Sequence, residues 1–196
     1  IFSYAAVKYS TVSTNRGSNN LSLVKNKKPH LFFVWLVFLC IAFVAMFRYG
    51  VGTDFYAYYK TENWTENFKL NNYRNPGFTI FSILCSFLFG GINGSVTMGA
   101  ALVSVAIFIF TIYKRAENFP LSVILFILTG VLTGMFNGVR QYLATAILFA
   151  GYGFIVDKKP IKWLLVVLLA STFHVTSILM FFVYFVCNAI KNAKYV

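Results

Sequence analysis

Three short stretches set polar or ionisable side chains inside or beside apolar runs, where such groups are costly and mark either a function or a specific interhelical bond. In Met135-Phe136-Asn137-Gly138-Val139-Arg140-Gln141, helical spacing predicts that Asn137, Arg140, Gln141 and Ala144 share one face. Gly151 lies further along that face, and Val139, Leu143 and Ile147 point elsewhere. Arginine offers a fixed fork of donors matched to phosphate or carboxylate, and Asn and Gln beside it suit the hydroxyls of a sugar. The competing reading has Arg140 snorkelling to an interface or bonding the carbonyls of a neighbouring helix.

The second stretch is Ser171-Thr172-Phe173-His174-Val175-Thr176-Ser177, in the middle of the longest apolar run. The spacing predicts Ser171, His174 and Ser177 on one helix face beside Ala170. Imidazole can accept or deliver a proton near neutral pH, which makes His174 a candidate acid or base; a histidine bonded across helices is the alternative. The third is Arg48-Tyr49-Gly50-Val51-Gly52-Thr53-Asp54, followed by a tyrosine-rich segment that includes Tyr58. Its glycines free the backbone to turn, Thr53 or Asp54 suits a helix N-cap, and Asp54 and Tyr58 then share a face. Tyrosines at a membrane border form an interfacial belt in any protein, so Arg48 and Asp54 are the informative residues.

The elements that must position these groups follow from composition. With 59% hydrophobic and only 11% charged residues, and mean hydropathy +0.71, the chain exceeds the ~45–50% apolar share of soluble domains, which excludes a water-soluble globule. An all-α polytopic membrane protein is expected, with residues 1–196 as a single integral domain whose partner is the lipid bilayer. The net charge of +12 does not signal nucleic acid, because the basic residues fall in short clusters between apolar runs, as topogenic Lys and Arg do. Cys40, Cys85 and Cys187 sit within apolar runs without metal-ligand spacing and read as buried small hydrophobes. Neither a metal nor a cofactor is expected, since phosphate-binding loops, dinucleotide fingerprints and metalloprotease motifs are all missing. The chain begins Ile1-Phe2 and residues 1–12 read as the tail of an apolar segment, so a fragment of a longer protein is expected.

Runs long enough to cross ~30 Å of hydrocarbon lie at 31–47, 95–113, 119–136, 138–156 and 161–187. The run 78–92 would make only about 22 Å of helix. Five to six transmembrane helices are therefore expected. If 78–92 spans, the basic residues divide eight against nine, which decides nothing. If it is re-entrant, Lys25/Lys27/Lys28, Lys114/Arg115 and Lys158/Lys159/Lys162 share one side, ten against seven. The re-entrant arrangement is preferred. It makes those clusters cytoplasmic and 48–77 an outward-facing loop.

In this order and at these separations, the motifs Arg48…Gly52-Thr53-Asp54…Tyr58, Asn75-Pro76-Gly77-Phe78, Phe136-Asn137-x-x-Arg140-Gln141 and Phe173-His174-x-x-Ser177 resemble the EpsG-like family of bacterial exopolysaccharide membrane proteins, relatives of the Wzy-type polysaccharide polymerases. The resemblance covers about residues 31–187. Two departures are Asn75, where an acidic residue is expected, and Thr176-Ser177, where the family tends to a small Ser-Ala pair. The resemblance implies polymerisation of polyprenyl-diphosphate-linked oligosaccharide repeat units into exopolysaccharide, capsule or O-antigen at the outer face of the bacterial cytoplasmic membrane. Other polysaccharide assembly proteins would be partners. It further implies that Arg140 and Arg48 hold the diphosphate, that Asn137, Gln141 and Tyr58 bind substrate, and that Asp54 or His174 is the base. Rival readings are a transporter or flippase of the same glycan, a membrane O-acyltransferase, and a non-catalytic subunit of a synthesis complex.

Overall fold

Apolar runs punctuated by Pro and Gly dictate short helices, and the computed structural model of the chain, which describes residues 29–59 and 75–193, contains no strand among them. The basic cluster Lys25/Lys27/Lys28 and most of the loop 48–77 lie outside the described residues. In chain order the helices are α1 (Leu31–Met46), α2 (Phe55–Tyr59), α3 (Pro76–Leu88), α4 (Ser95–Arg115), α5 (Phe119–Leu128), α6 (Val131–Asn137), α7 (Val139–Gly151), α8 (Gly153–Val156) and α9 (Pro160–Phe173). A 3-10 segment (Val175–Leu179) then leads into α10 (Met180–Ala193). Proline opens α3, α5 and α9, where its missing N–H costs nothing. The Asn118 side chain accepts from the Leu121 N–H to cap α5.

The longest helix, α4, is the central post. Its first half is lined by small buried residues, Ser95, Gly99, Ala100, Ala101 and Ser104, which let neighbouring backbones come close. In an apolar solvent such packing, rather than water exclusion, is what binds helix to helix. α1 lies antiparallel along it: Trp35 and Phe38 pack on Phe110 with ring centroids 4.9 and 5.5 Å apart, while Arg48, just past the other end of α1, meets Ala100, Ala101 and Ser104. α7 runs parallel to α4, with Val139 and Leu143 against Val96 and Ala100 at one end and Gly153 against Arg115 at the other. α9 then covers α7 through Trp163, Val167 and Ala170 against Ala144 and Leu148.

The placement of residues 47–59 and 75–94 follows from that antiparallel pair. The chain leaves α1 and enters α4 at the same end, where the Gly94 N–H donates to the Tyr59 carbonyl at 2.7 Å. Over its whole length α3 meets only the first turns of α4: Phe78 with Val96 and Ala100, Cys85 with Gly99, and the Ser86 hydroxyl 3.5 Å from that of Ser95. α3 thus lies across the end of α4 at which the chain enters it.

By length and composition, however, only Ser95–Arg115 and Val139–Val156 are long and apolar enough to cross a membrane, or three spans if Phe119–Leu128 and Val131–Asn137, bent by 43°, count as one. That corrects the expectation of five to six full-length spans. The first run yields a helix of 16 residues, about 24 Å against ~30 Å of hydrocarbon. The run 119–136 bends where Thr129 turns its hydroxyl onto the Leu125 carbonyl at 2.6 Å and Gly130 takes φ 80°.

The run 161–187 is no single helix. α9 stops at His174, whose backbone is extended (φ −148°, ψ 110°). Ser171 and Thr172 prepare that stop by bonding back to the Leu168 and Leu169 carbonyls at 2.8 and 2.7 Å. The chain then doubles back, so the Met180 carbonyl accepts from the Trp163 indole N–H at 3.1 Å. Apolar residues flank the polar stretch 171–177 on both sides, so composition over the whole run reads a span. The cysteines also differ from expectation: Cys85 is buried, but Cys40 is exposed on α1 and Cys187 is half-buried.

Candidate functional site

The loop after α1 is bolted to the turn between α6 and α7. Gly52 sits at φ +100°, which glycine alone adopts readily, and any Cβ there would collide with the Phe136 carbonyl. One residue on, the Thr53 N–H donates to Asn137 Oδ1 at 3.0 Å and the Thr53 hydroxyl to the Asn137 carbonyl at 3.4 Å. Arg48 closes the same joint. Its guanidinium lies 4.5 Å from the centroid of Phe136, and Nη1 donates to the Ala45 carbonyl at 3.0 Å. Nε is buried without a hydrogen-bond partner among the described residues. Burial lowers its pKa to about 10, so it stays cationic at neutral pH. The crevice it lines with Ser104, Met135, Val139 and Tyr142 has no room for a water molecule.

Arg140 occupies a different setting in the first turn of α7. Its Cζ is 5.7 Å from the centroid of Tyr58 and 5.9 Å from that of Phe78, within cation–π range of both. Its charge also acts on the Tyr58 phenol. Burial raises the Tyr58 phenol above its usual pKa, with Arg140 partly opposing, so the hydroxyl stays neutral. The ion pair given for the described residues joins Lys159 to Asp157 at the far end of the bundle, which leaves Arg140 without a carboxylate among them. Asp54 is half-buried and acts electrostatically on Tyr58.

The first turn of α3 brings in the third motif. Asn75, 6% exposed, accepts the Val175 N–H on Oδ1 at 3.3 Å. Gly77 lies directly on Thr172, where a Cβ would strike the hydroxyl. Phe81 links Phe78 and Phe173, each ring centroid 6.2 Å from its own. His174 is half-buried and lies within electrostatic reach of Arg140.

Arg140, Tyr58, Asp54 and His174 therefore gather at one end of the bundle, as do Arg48 and Asn137. Two expected faces do not form. Gly138 ends α6 and starts α7 (φ −127°, ψ 67°), so Asn137 does not share a helix face with Arg140 and exposed Gln141. The break at His174 likewise takes Ser177, buried in the 3-10 segment, off the face of Ser171. Asn75 was missed as a site residue. It was read only as an absent carboxylate, although its amide oxygen supplies an acceptor.

The opposite end is basic. Arg115 stands over Tyr152 at 5.5 Å and against Gly153, Lys162 stands over Phe154 at 5.9 Å, and Lys158 and Lys159 lie in the turn before α9. No three His, Cys, Asp or Glu side chains converge on a metal-sized site among the described residues.

No curated protein and no solved structure matches the chain. A family profile does, over residues 31–196. It spans all four motifs and the whole described bundle, and with it comes a role in exopolysaccharide biosynthesis: the chain belongs to the EpsG family.

Proposed function

We propose that the chain polymerises polyprenyl-diphosphate-linked oligosaccharide repeat units by glycosyl transfer. The observation that carries this reading is the convergence, at one end of the bundle, of Gly52–Tyr58, Asn75–Phe78, Phe136–Gln141 and Phe173–Ser177 around an arginine with no carboxylate partner among the described residues. In the reaction, a hydroxyl of the acceptor sugar attacks the anomeric carbon of the donor unit. The bond from that carbon to the diphosphate oxygen breaks, and its electron pair leaves on the phosphate. Arg140 faces the charge that develops there, with a fork that fits two phosphate oxygens. His174 takes the hydroxyl proton, with Asp54 the alternative base. Gln141, exposed beside Arg140, serves sugar hydroxyls, and the rings of Tyr58 and Phe78 flank the leaving group. Arg48 holds the loop that carries Asp54 and Tyr58.

Orientation follows from charge. The end that carries Lys114, Arg115, Lys158, Lys159 and Lys162 faces the cytoplasm, which sets Arg140 at the outer face of the bacterial cytoplasmic membrane.

The test is Arg140→Ala in the full-length parent at matched membrane level, with the lipid-linked intermediates localised by an impermeant probe. Single repeat units accumulating on the outer face, with long polymer lost, is the expected result. Units trapped on the inner face would replace the polymerase with a flippase, and normal polymer with missing acetyl groups would point to an acyltransferase.

A further inference from the structure

Whether α3 is mere packing or part of the working site is decided by what its first turn touches. Asn75, Gly77 and Phe78 are three of the first four residues from the N-cap of that helix, and each meets a different piece of the site. Asn75 accepts the N–H of Val175, the residue that follows His174, at 3.3 Å. Gly77 rests on Thr172, two residues before His174. Phe78, 2% exposed, carries the Arg140 guanidinium 5.9 Å from its ring centroid.

His174 needs such support because it is not helical. Its extended backbone sits where α9 has ended and the 3-10 segment has yet to begin, held on one side by its own N–H to Ala170 at 3.0 Å and on the other by Ser177 N–H to its carbonyl at 2.9 Å. The next N–H, that of Val175, is the one that Asn75 takes. Without that acceptor the N–H at the bend is unpaired, and the chain can relieve it by rewinding α9 through His174. Rewinding would rotate the imidazole away from the Arg140 end.

We infer that Asn75 is a positioning residue: through Val175 it fixes the bend that presents His174 to the corner where Phe78, on the same turn, holds Arg140. The first turn of α3 thus sets the spacing between the proton acceptor and the cation. The inference rests on the glycosyl-transfer reading for its effect on rate, while its effect on the bend stands apart from it.

The experiment compares Asn75→Leu and Asn75→Asp, alone and with His174→Ala, in the full-length parent reconstituted with lipid-linked repeat units. Polymer turnover is scored per folded molecule. A second readout follows carbethoxylation of His174 at fixed pH by mass spectrometry. Asn75→Leu lowers turnover by about 10- to 100-fold with little change in apparent KM, the scale expected when a catalytic group is misplaced. Asn75→Asp, which keeps the acceptor oxygen, restores it to within about threefold. In the His174→Ala background Asn75→Leu costs less than about twofold, because the two act through one group. His174 carbethoxylation changes rate in Asn75→Leu and not in Asn75→Asp.

An undiminished loss in the His174→Ala background, failure of Asn75→Asp to rescue, or a carbethoxylation rate that ignores Asn75→Leu overturns the positioning role. If His174→Ala polymerises normally, it is the base assignment that falls, and the carbethoxylation rate alone decides for or against Asn75. Should Asn75→Leu fail to accumulate, Asn75→Ser, too short to reach Val175, is judged by the same criteria.

Discussion

Arg48 and Arg140 sit at the same end of one bundle, each with its guanidinium over an aromatic ring, yet their surroundings are opposite. Arg48 is sealed. Its hydrogen bond goes to its own helix end, its ring partner belongs to the turn that it clamps, and the crevice around it admits no water. Arg140 stands between two rings, one of them a tyrosine on whose hydroxyl its charge acts, with a half-buried histidine within electrostatic reach. The same side chain is joinery in one place and, in the other, a cation with no carboxylate partner among the described residues. Sequence spacing treats the two alike; the difference lies in what packs on each.

The comparison can be pressed hardest at Arg140. Arg140→Lys keeps the charge and loses the planar fork, so it lowers polymer turnover by about 100-fold or more, roughly 3 kcal/mol of transition-state stabilisation, while thermal stability in detergent stays at the wild-type value. At the Arg48 joint the pattern inverts. Gly52→Ala forces a left-handed backbone on a residue with a side chain and drives its Cβ into the Phe136 carbonyl, costing about 2 kcal/mol or more; less folded protein is recovered, and each folded molecule polymerises normally. Asn137→Ala removes the acceptor of the Thr53 N–H and costs about 1 kcal/mol, read as a small drop in melting temperature. Thr53→Val deletes only the 3.4 Å hydroxyl bond, keeps the backbone one, and shifts stability by less than about 1 kcal/mol. A large loss of turnover per folded molecule in either of the last two would blur the distinction between the two arginines.

Much of this was legible in the sequence. The all-helical membrane character follows from composition. The polar motifs that gather at one end were visible as costly residues in apolar runs. What was not legible is where helices break. The polar dip at 171–177 is visible, but not that the chain bends at His174, because the cause is specific bonding: two hydroxyls bonding backward and an asparagine one hundred positions away taking a backbone N–H. Gly138 was visible, but a lone glycine in a helical pattern is often tolerated, and only the joint with Thr53 shows that the chain turns there. Asn75 was hidden by the expectation of a carboxylate.

The most direct test of the account is polymer length per folded molecule for Arg140→Ala and Arg48→Ala, assayed side by side in the full-length parent. The account predicts that Arg140→Ala folds at wild-type yield and makes no long polymer, whereas Arg48→Ala loses yield and keeps the wild-type ladder in the fraction that folds. Equal loss of long polymer per folded molecule in both variants would contradict it and return Arg48 to the substrate.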